Sequence, residues 1–511
     1  MMTKISKTHH AQPVSCPLVE EVPFTDPAAL LQHLRNHQDL AFLDSVDRSP
    51  SLGRYSYLAY SAFGTFRATM GRAFWNGKAF EDPPFVALQN QLKLYSQPTL
   101  KESLPPFQGG AIGYISYEAG RLLEKLPSTD FEHERIDDIH LPFYDVILAV
   151  DHFPDGGTNA SPARAWIIST GWPCTGEKQQ THARARLDWF RSELAAAATK
   201  PPTPHNTPPI KGWRSNFSRS GYQQAIERTR HHILEGDIFQ ANITQRFSAS
   251  VPKYETATPL AYYLQLRKEN PAPFAAYLAC GDHVIASSSP ERFLTLDATG
   301  HAETRPIKGT APRDLTNPVR DQVLSKNLLN SDKDRAENVM ITDLMRNDLS
   351  RVCKPDSVKV PDLCRLESYA RVHHLVSVVI GHLKQGMGPV ALLGACFPGG
   401  SITGAPKIRS MEIITTLENL PRGVYCGSIG YIGFDGTMDT NIAIRTVTFK
   451  DDLVHFGVGG GITVLSDPAA EYEETLHKAA AIFKSLGTSV EEERAGLERD
   501  KTEKDEESPD R

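Results

Sequence analysis

"YCGSIGYIGFDGTMDTNIAIRTVTFKDDLVHFGVGGGI", residues 425–462, is a run of β-branched, aromatic and small residues cut twice by turn dipeptides. The cuts fall at Asp435-Gly436 and Asp451-Asp452. Turns this tight join antiparallel neighbours, whereas a parallel pair needs a crossover of about a dozen residues or more. The stretch therefore predicts an antiparallel meander. Two of its features bear on function. Arg445, in "IAIRTV", puts a charge inside a strand that otherwise reads as buried, so it needs a partner, and an anionic ligand would serve. Gly457 and Gly459–Gly461 let a backbone approach a ligand closely and offer it N–H groups; a bulge or bend accounts for them as well. The run lacks the Gly-Lys-Ser/Thr ending of a P-loop and the spacing of a dinucleotide fingerprint.

The same grammar extends outward. "AYLACGDHVIASSSPERFLTLD" (276–297) predicts two strands about a Gly-Asp turn, and residues 220–249 predict a helix broken at Gly236-Asp237 before a strand. Residues 318–353 read as helical for most of their length, and "AEYEETLHKAAAIFKSLG" (470–487) as an amphipathic closing helix. Upstream, "RYSYLAY" (54–60) and "GTFRATMG" (64–71) read as strands, and residues 108–124 as a strand leading into a helix. Strands outnumber helices and their connections are often tight. The fold class is mixed α+β, largely antiparallel.

Residues 195–214, rich in Ala, Pro and Thr, predict an exposed connection. It separates an N-terminal subdomain (21–194) from a longer catalytic half (215–488). Residues 1–20 and the charged tail 489–511 are expected to be disordered. The net charge is −6, of which −5 belongs to residues 491–511. The nearly neutral body has no basic stripe for nucleic acid. No apolar run approaches the ~20 residues of a membrane span, and the first residues lack the apolar core of a secretory signal. Seven scattered cysteines without a C-x-x-C pair argue against a disulfide framework and suit a cytoplasmic setting.

Several residues could carry chemistry. In "RPIKGTAPR" (305–313), Pro306 and Gly309 constrain the backbone around one amine, Lys308. Glu471, Glu474 and Lys478 share one face of the closing helix, and Asp334 and Glu337 are likewise three apart. Either set alone reads as a solvated charged face. Meeting across a cleft, they would suit Mg²⁺, which takes one or two carboxylates and leaves the rest to water and an anionic substrate. In "FPGGSITGAPKIRSMEII" (397–414), Thr403 or Gly404 can cap a helix whose free amides would bind an anion, with Lys407 adding charge. His374 enters an apolar strand, where a core histidine is the commoner outcome. Glu291, in "SSSPERF", sits at a strand turn.

Those segments, with "DIFQANITQRF", "AENVMITDLMRND", "VHHLVS" and "GGGITVLSDPAAEYEETLHKA", resemble the blocks of the chorismate-utilising enzymes, in the family's order. The resemblance covers about residues 20–488 and is strongest over 217–480. It implies a sandwich of two antiparallel sheets flanked by helices, as in anthranilate synthase component I. Within the family, Lys308 resembles the aminodeoxychorismate synthases, since anthranilate synthases typically carry alanine there.

The resemblance also implies roles. Lys308 attacks C2 of chorismate and expels the C4 hydroxyl, after which ammonia adds at C4. The amine must be depressed by burial or by nearby cations such as Mg²⁺ or Lys407. Glu291 is the general acid/base, and His374 stands near the leaving hydroxyl. Glu337 and Glu474 are the Mg²⁺ ligands, with Asp334 and Glu471 outside them. Tyr431, Arg445, Gly459, Gly460 and Lys478 hold the substrate carboxylates, and Thr403 and Gly404 line the pocket. Ser45 and the turn Asn270, Pro271, Pro273 and Phe274 resemble a tryptophan pocket. No glutaminase is visible in the chain, so ammonia is expected from free solution or from a separate amidotransferase subunit, and the resemblance implies the latter.

Overall fold

All strand pairs in the computed structural model are antiparallel. The structure describes residues 16–98, 103–129, 135–156, 161–199, 207–251, 259–369 and 371–498. One sheet runs Leu18–Val22, Arg164–Ser169, Val146–Asp151, Tyr55–Ala59, Ala41–Asp44, Phe274–Ala279, His283–Ser289, Thr446–Lys450, Leu453–Ile462, Gln240–Ser250 and Arg214–Ser215. The other runs Ile307–Pro312, Val372–His382, His301–Thr304, Arg292–Leu296, Met438–Asn441, Ser428–Gly433, Gly110–Ile115, Ile139–Tyr144, Gly64–Thr69, Arg72–Trp75 and Lys78–Ala79.

Each sheet takes strands from both sides of the 195–214 connection. The joins are Ala41–Asp44 against Phe274–Ala279 and Gly110–Ile115 against Ser428–Gly433. The two halves are thus successive in sequence but interleaved in the sheets. Between the sheets lies a core that includes Tyr57, Ile112, Tyr114, Ile147, Ile285, Ile429 and Tyr431. Two further cores cover the outer faces, where the helices pack. Alternate residues of one strand therefore enter different cores: in Ser428–Gly433, Tyr431 faces the other sheet and Ile432 faces helices. Among the described residues no helix is long and apolar enough to cross a membrane, and all seven cysteines are free.

The structure corrects or refines five expectations. The 425–462 meander is split: its first two strands lie in one sheet and its last two in the other. The chain crosses between sheets after Asn441, so Arg445 stands in the crossing, at φ +52°, rather than in a strand. The helical run 318–353 is two helices, Pro318–Leu329 and Asp332–Val352, because Ser331 caps the second by accepting from Asp334 N. The segment at the start of the expected tail is ordered. Val490–Leu497 is a helix, and Glu493 accepts from the backbone N–H groups of Gly212 and Trp213 at 3.0 and 3.1 Å. Likewise Leu18–Val22 is a strand, so order begins before residue 20. Residues 1–15, 200–206 and 499–511 of the expected tails and connection lie outside the described residues.

One buried ion pair ties the sheets' loops together. The Arg422 guanidinium meets Glu418 at 2.6 and 2.8 Å and donates to the carbonyls of Ile402 (2.9 Å) and Asn242 (2.6 Å). Glu418 also accepts from Thr244 N at 2.8 Å. The Tyr117 ring covers the guanidinium at 4.6 Å. Removing one partner strands a buried charge, at a cost of about 3–5 kcal/mol. Glu418→Gln should lower the unfolding free energy by that order in a denaturant titration. A change below about 1 kcal/mol would show that the pair is not the tie its geometry suggests.

Candidate active site

The strand carrying Lys308 is bulged. Its register against Val372–His382 shifts between Ile307 and Thr310. Gly309 permits this at φ +86°, and a Cβ there would press on Asp334 at 2.9 Å and Leu328 at 3.0 Å. The bulge sends Lys308 inward, where Nζ donates to the Ser401 carbonyl at 3.0 Å. Burial pulls this amine below its ordinary value, and Lys478 adds to the effect. Glu337, Glu291 and Glu474 oppose the shift without cancelling it.

Glu291 is buried rather than exposed at its turn. Burial pushes its carboxyl up to about 7, against the pulls of Ser401, Lys308 and the Ile307 N–H, which approaches at 3.4 Å. A carboxyl tuned there can give and take a proton near neutrality.

The glycines of Leu453–Ile462 make room for these groups. A Cβ at Gly461 would collide with the Gln240 side-chain amide and lie 3.2 Å from Lys308 Nζ. At Gly460 it would stand 3.2 Å from Glu471, 3.7 Å from Lys478 and 3.8 Å from Glu474. Lys478 Nζ donates to the Gly459 carbonyl at 2.8 Å and pairs with Glu474 at 2.7 Å. The closing helix therefore lays its charged face on the glycine strand, and the helix Asp332–Val352 brings Glu337 within reach of the same charges. Burial raises Glu337, and its neighbours Asp334 and Glu471 raise it further, while Lys308 and Lys333 oppose them. For Glu474 burial also pushes upward, but Lys478, Lys333 and Lys308 outweigh it and leave the carboxyl below its usual range.

No three of these carboxylates close into a cage. Among the described residues, the only such cluster with ligand atoms within 4.8 Å of one another is His232, Glu235 and Asp237. There Asp237 is already engaged by His232 at 2.7 Å and Arg409 at 3.1 Å. The open, crowded set around Lys308 still fits Mg²⁺, which keeps several waters and needs only one or two carboxylates.

His374 lies on the strand paired with the Lys308 strand, opposite Thr310, and Arg445 acts on it by charge. His374 Nδ1 bonds Thr310 Oγ1 at 2.8 Å. Burial, with Arg445 adding, pushes its imidazole down to about 4, so it is neutral at pH 7. Arg445 donates to Asn270 Oδ1 at 3.2 Å. Asn270 gives no countercharge, and burial pulls the guanidinium below its ordinary value. Thr403 is buried and Gly404 stands at φ +155° against the Gln240 carbonyl, where a Cβ would not fit.

Three expected residues go elsewhere. Tyr431 packs on Phe107 at 4.6 Å and Tyr57 at 5.5 Å in the core between the sheets, because its strand position faces that way. Lys407 pairs with Asp348 at 2.6 Å and the Cys396 carbonyl at 2.7 Å, so its charge is spent structurally. Of the tryptophan-pocket residues, Ser45 meets the Tyr55 carbonyl at 2.5 Å and the Pro273 carbonyl at 3.4 Å. Pro271 sits in the same turn, and Phe274 lies under Arg292 at 5.2 Å. Asn270 turns away from Ser45 towards Arg445. Sequence reasoning also missed Ser401, Lys333 and Gln240. Gln240 is fully buried, and its Oε1 lacks a hydrogen-bond partner. A buried amide beside a glycine run was the available signal.

Residues 46–484 match the family described as chorismate binding enzyme. The chain is 42% identical over 405 residues to aminodeoxychorismate synthase component 1 of Salmonella typhimurium, covering 79% of this chain and 83% of that one. It is 32% identical over 495 residues to anthranilate synthase component 1 of Aquifex aeolicus, covering 96% and 97%. Anthranilate synthase component I from Streptococcus pneumoniae TIGR4 is similar in structure, with a TM-score of 0.72 and 30% identity over 84% of this chain and 92% of that one. That likeness accounts for the two facing antiparallel sheets with helices outside them. A depressed lysine, a near-neutral glutamic acid and an open carboxylate cluster thus stand at the centre of a shared architecture, and the chain belongs to the chorismate binding enzyme family.

Proposed function

We propose that the chain converts chorismate and ammonia to 4-amino-4-deoxychorismate, the precursor of p-aminobenzoate in folate synthesis. The observation that carries this reading is Lys308. Its amine is half-buried, depressed and held beside Glu291, at the position where the family resemblance expects alanine in anthranilate synthases. An anthranilate reading leaves this amine without a task. Relatives named aminodeoxychorismate synthase component 1 reach 40–42% identity.

The chemistry divides into two displacements. In the first, the Lys308 nitrogen bonds to C2, the ring double bond shifts, and the C4–O bond breaks. Glu291, as the acid, gives the departing hydroxyl its proton, so water leaves. His374, neutral and bonded to Thr310, would stand near that hydroxyl. In the second step ammonia bonds to C4, the double bond returns, and the C2–N bond breaks to free Lys308. Glu291, now a carboxylate, takes the proton released. Arg445 and Lys478 would bind the substrate carboxylates, with the amides of Gly459 and Gly460 and the wall made by Thr403 and Gly404. Glu337 and Glu474 would hold Mg²⁺, with Asp334 and Glu471 around them. Bound there, it would neutralise the ring carboxylate and polarise the system.

Ammonia is proposed to come from a separate amidotransferase subunit. Five of the seven cysteines are buried, and burial pushes those at 280, 353, 364, 396 and 426 upward, away from nucleophilic thiolates. The chain also spans only 51% of a Streptomyces griseus relative named aminodeoxychorismate synthase, without a component number. The free thiols suit a reducing cytoplasm. Tryptophan at the Ser45 turn remains part of the proposal, with Pro273 rather than Asn270 as its second wall.

Incubation with chorismate, Mg²⁺ and ammonium, followed by mass and NMR identification of the product, tests the reading. Without ammonia, the intact wild-type protein should gain the mass of chorismate less water, on the peptide containing Lys308. Lys308→Ala should stay folded, turn over far more slowly, and shift part of its product to 2-amino-2-deoxyisochorismate. No adduct, together with a variant as fast as wild type, would reduce the lysine to an electrostatic contact.

Glu337→Gln and Glu474→Gln should each cut turnover by orders of magnitude while the protein stays folded, as circular dichroism would show. Full activity in excess chelator would sink the metal assignment.

Glu291 carries a pH signature. Its folded value, about 7, lies above the ordinary 4.5. The fold therefore prefers the neutral form, and the penalty for charging it sets in above 4.5 and is complete above 7. Glu291→Gln removes that penalty. Its stabilising effect in urea unfolding should grow by about 2 kcal/mol between roughly pH 5.5 and 8.5. A gain that is flat with pH, or reversed, contradicts the neutral acid.

A further inference from the structure

Lys333 has no part in the chemistry above, yet it pairs with Glu471 and its charge acts on both proposed metal ligands, Glu337 and Glu474. It stands in the first turn of the helix Asp332–Val352. Its ammonium lies 3.6 Å from Glu471 Oε1 on the closing helix, so it spans the gap between the two helices that supply the carboxylates. The same charge acts on Glu337, from its own helix, and on Glu474, from the other.

The two ends of this bridge differ. The Glu471 side chain is 6% exposed and is fixed by Ser466, whose hydroxyl donates to Oε1 at 2.7 Å. The Lys333 side chain is 42% exposed. The carboxylate is anchored and the ammonium is free to leave on a long, flexible stem. Lys333 also has the wrong sign for its place: helix N-terminal turns favour anions, and Asp332 and Asp334 flank it there. Its position makes electrostatic sense through Glu471, Glu337 and Glu474 together.

We propose that Lys333 is a resident counter-ion that competes with Mg²⁺ for this cluster. Without metal, its ammonium offsets the repulsion among the carboxylates and ties the two helices. When the ion arrives, Lys333 swings into solvent. The exchange keeps the empty site closed and holds the intrinsic metal affinity down. This inference rests on the Mg²⁺ reading above and concerns binding in the absence of substrate.

Calorimetric titration of Mg²⁺ into the full chain without chorismate tests it, with wild type, Lys333→Gln, Lys333→Arg and the double variant Lys333→Gln/Glu474→Gln. Lys333→Gln should bind Mg²⁺ about tenfold more tightly at low salt, the size expected for removing one charge beside a divalent ion in a solvated site. Raising the salt to about 0.5 M should shrink the gain, since screening weakens the ammonium's competition. Lys333→Arg should match wild type, and the double variant should lose the gain. Mg²⁺ should also raise the melting temperature of Lys333→Gln by more than it raises that of wild type. Binding by Lys333→Gln that equals or falls below wild type overturns the competition while leaving the metal reading intact. If neither protein takes up Mg²⁺, both fall.

Discussion

Arg422 has its charge buried, and Glu418 is the group that answers it. That pair is worth more as a constraint than as a source of energy, because desolvation consumes much of what the attraction supplies. Its five N–H groups must all be used. Two meet Glu418, and others are met by the carbonyls of Ile402 and Asn242. Ile402 is the neighbour of Ser401, whose carbonyl receives Lys308. Asn242 belongs to the strand that pairs with the glycine run. Glu118, from the other half of the chain, accepts from the backbone N–H groups of Arg422 and Gly423 at 2.9 and 2.8 Å. A slack ion pair would let the lysine's acceptor, the glycine strand and the N-terminal half drift independently. Positioning of this kind matters because a misplacement of about 1 Å can cost a hundredfold in rate.

What the keystone holds in place is largely an absence. Side chains at 460 and 461 would occupy the space now shared by Lys308, Gln240, Glu471 and Lys478. A strand ordinarily pays its way by packing side chains against neighbours. Here it presents bare backbone, and the closing helix packs charge against it instead. The cost in packing is met nearby: Tyr472, Leu476, Ala479 and Phe483 of the same helix are buried in the core on the sheet's outer face. One helix is thus apolar below and ionic at one edge, which is how a rigid element can carry a reactive face.

Local grammar carried much of the fold. Asp435-Gly436 and Asp451-Asp452 do lie in turns between antiparallel strands, and Gly487 ends the closing helix at φ +78°. Which sheet each hairpin joins was not legible, because both sheets have two buried faces and the period-two alternation that would distinguish them fades. The site was legible in part. Lys308, Glu291, Glu337 and Glu474 do converge, as their types and the family resemblance suggested. Partners across long sequence separations were the blind spot. Lys407 and Asp348 stand 59 positions apart, and nothing local announces that they neutralise each other. Tyr431 failed for a narrower reason: one residue along a strand reverses the face, and only the sheet decides which face is the pocket. Lys333 escaped notice because a lysine on an exposed helical turn is the commonest of surface residues.

The charges around Lys308 set the terms for any substrate. Lys308, Lys333 and Lys478 stand among Asp334, Glu337, Glu471 and Glu474. Lys333 and Lys478 are each held close to a carboxylate, and the four carboxylates outnumber these two ammonium groups, so the cluster is negative. A dicarboxylate entering such a site would meet repulsion at one end and Arg445, which has only a neutral amide for company, at the other. The asymmetry orients the ligand before any bond forms. On the proposed reading one carboxylate would be drawn to Arg445, and the other would need an accompanying cation. In that frame the amine of Lys308 need not bind substrate at all. Depressed by burial and tethered to Ser401, it would, on the proposed reading, be free to act as a nucleophile while other groups recognise the charge.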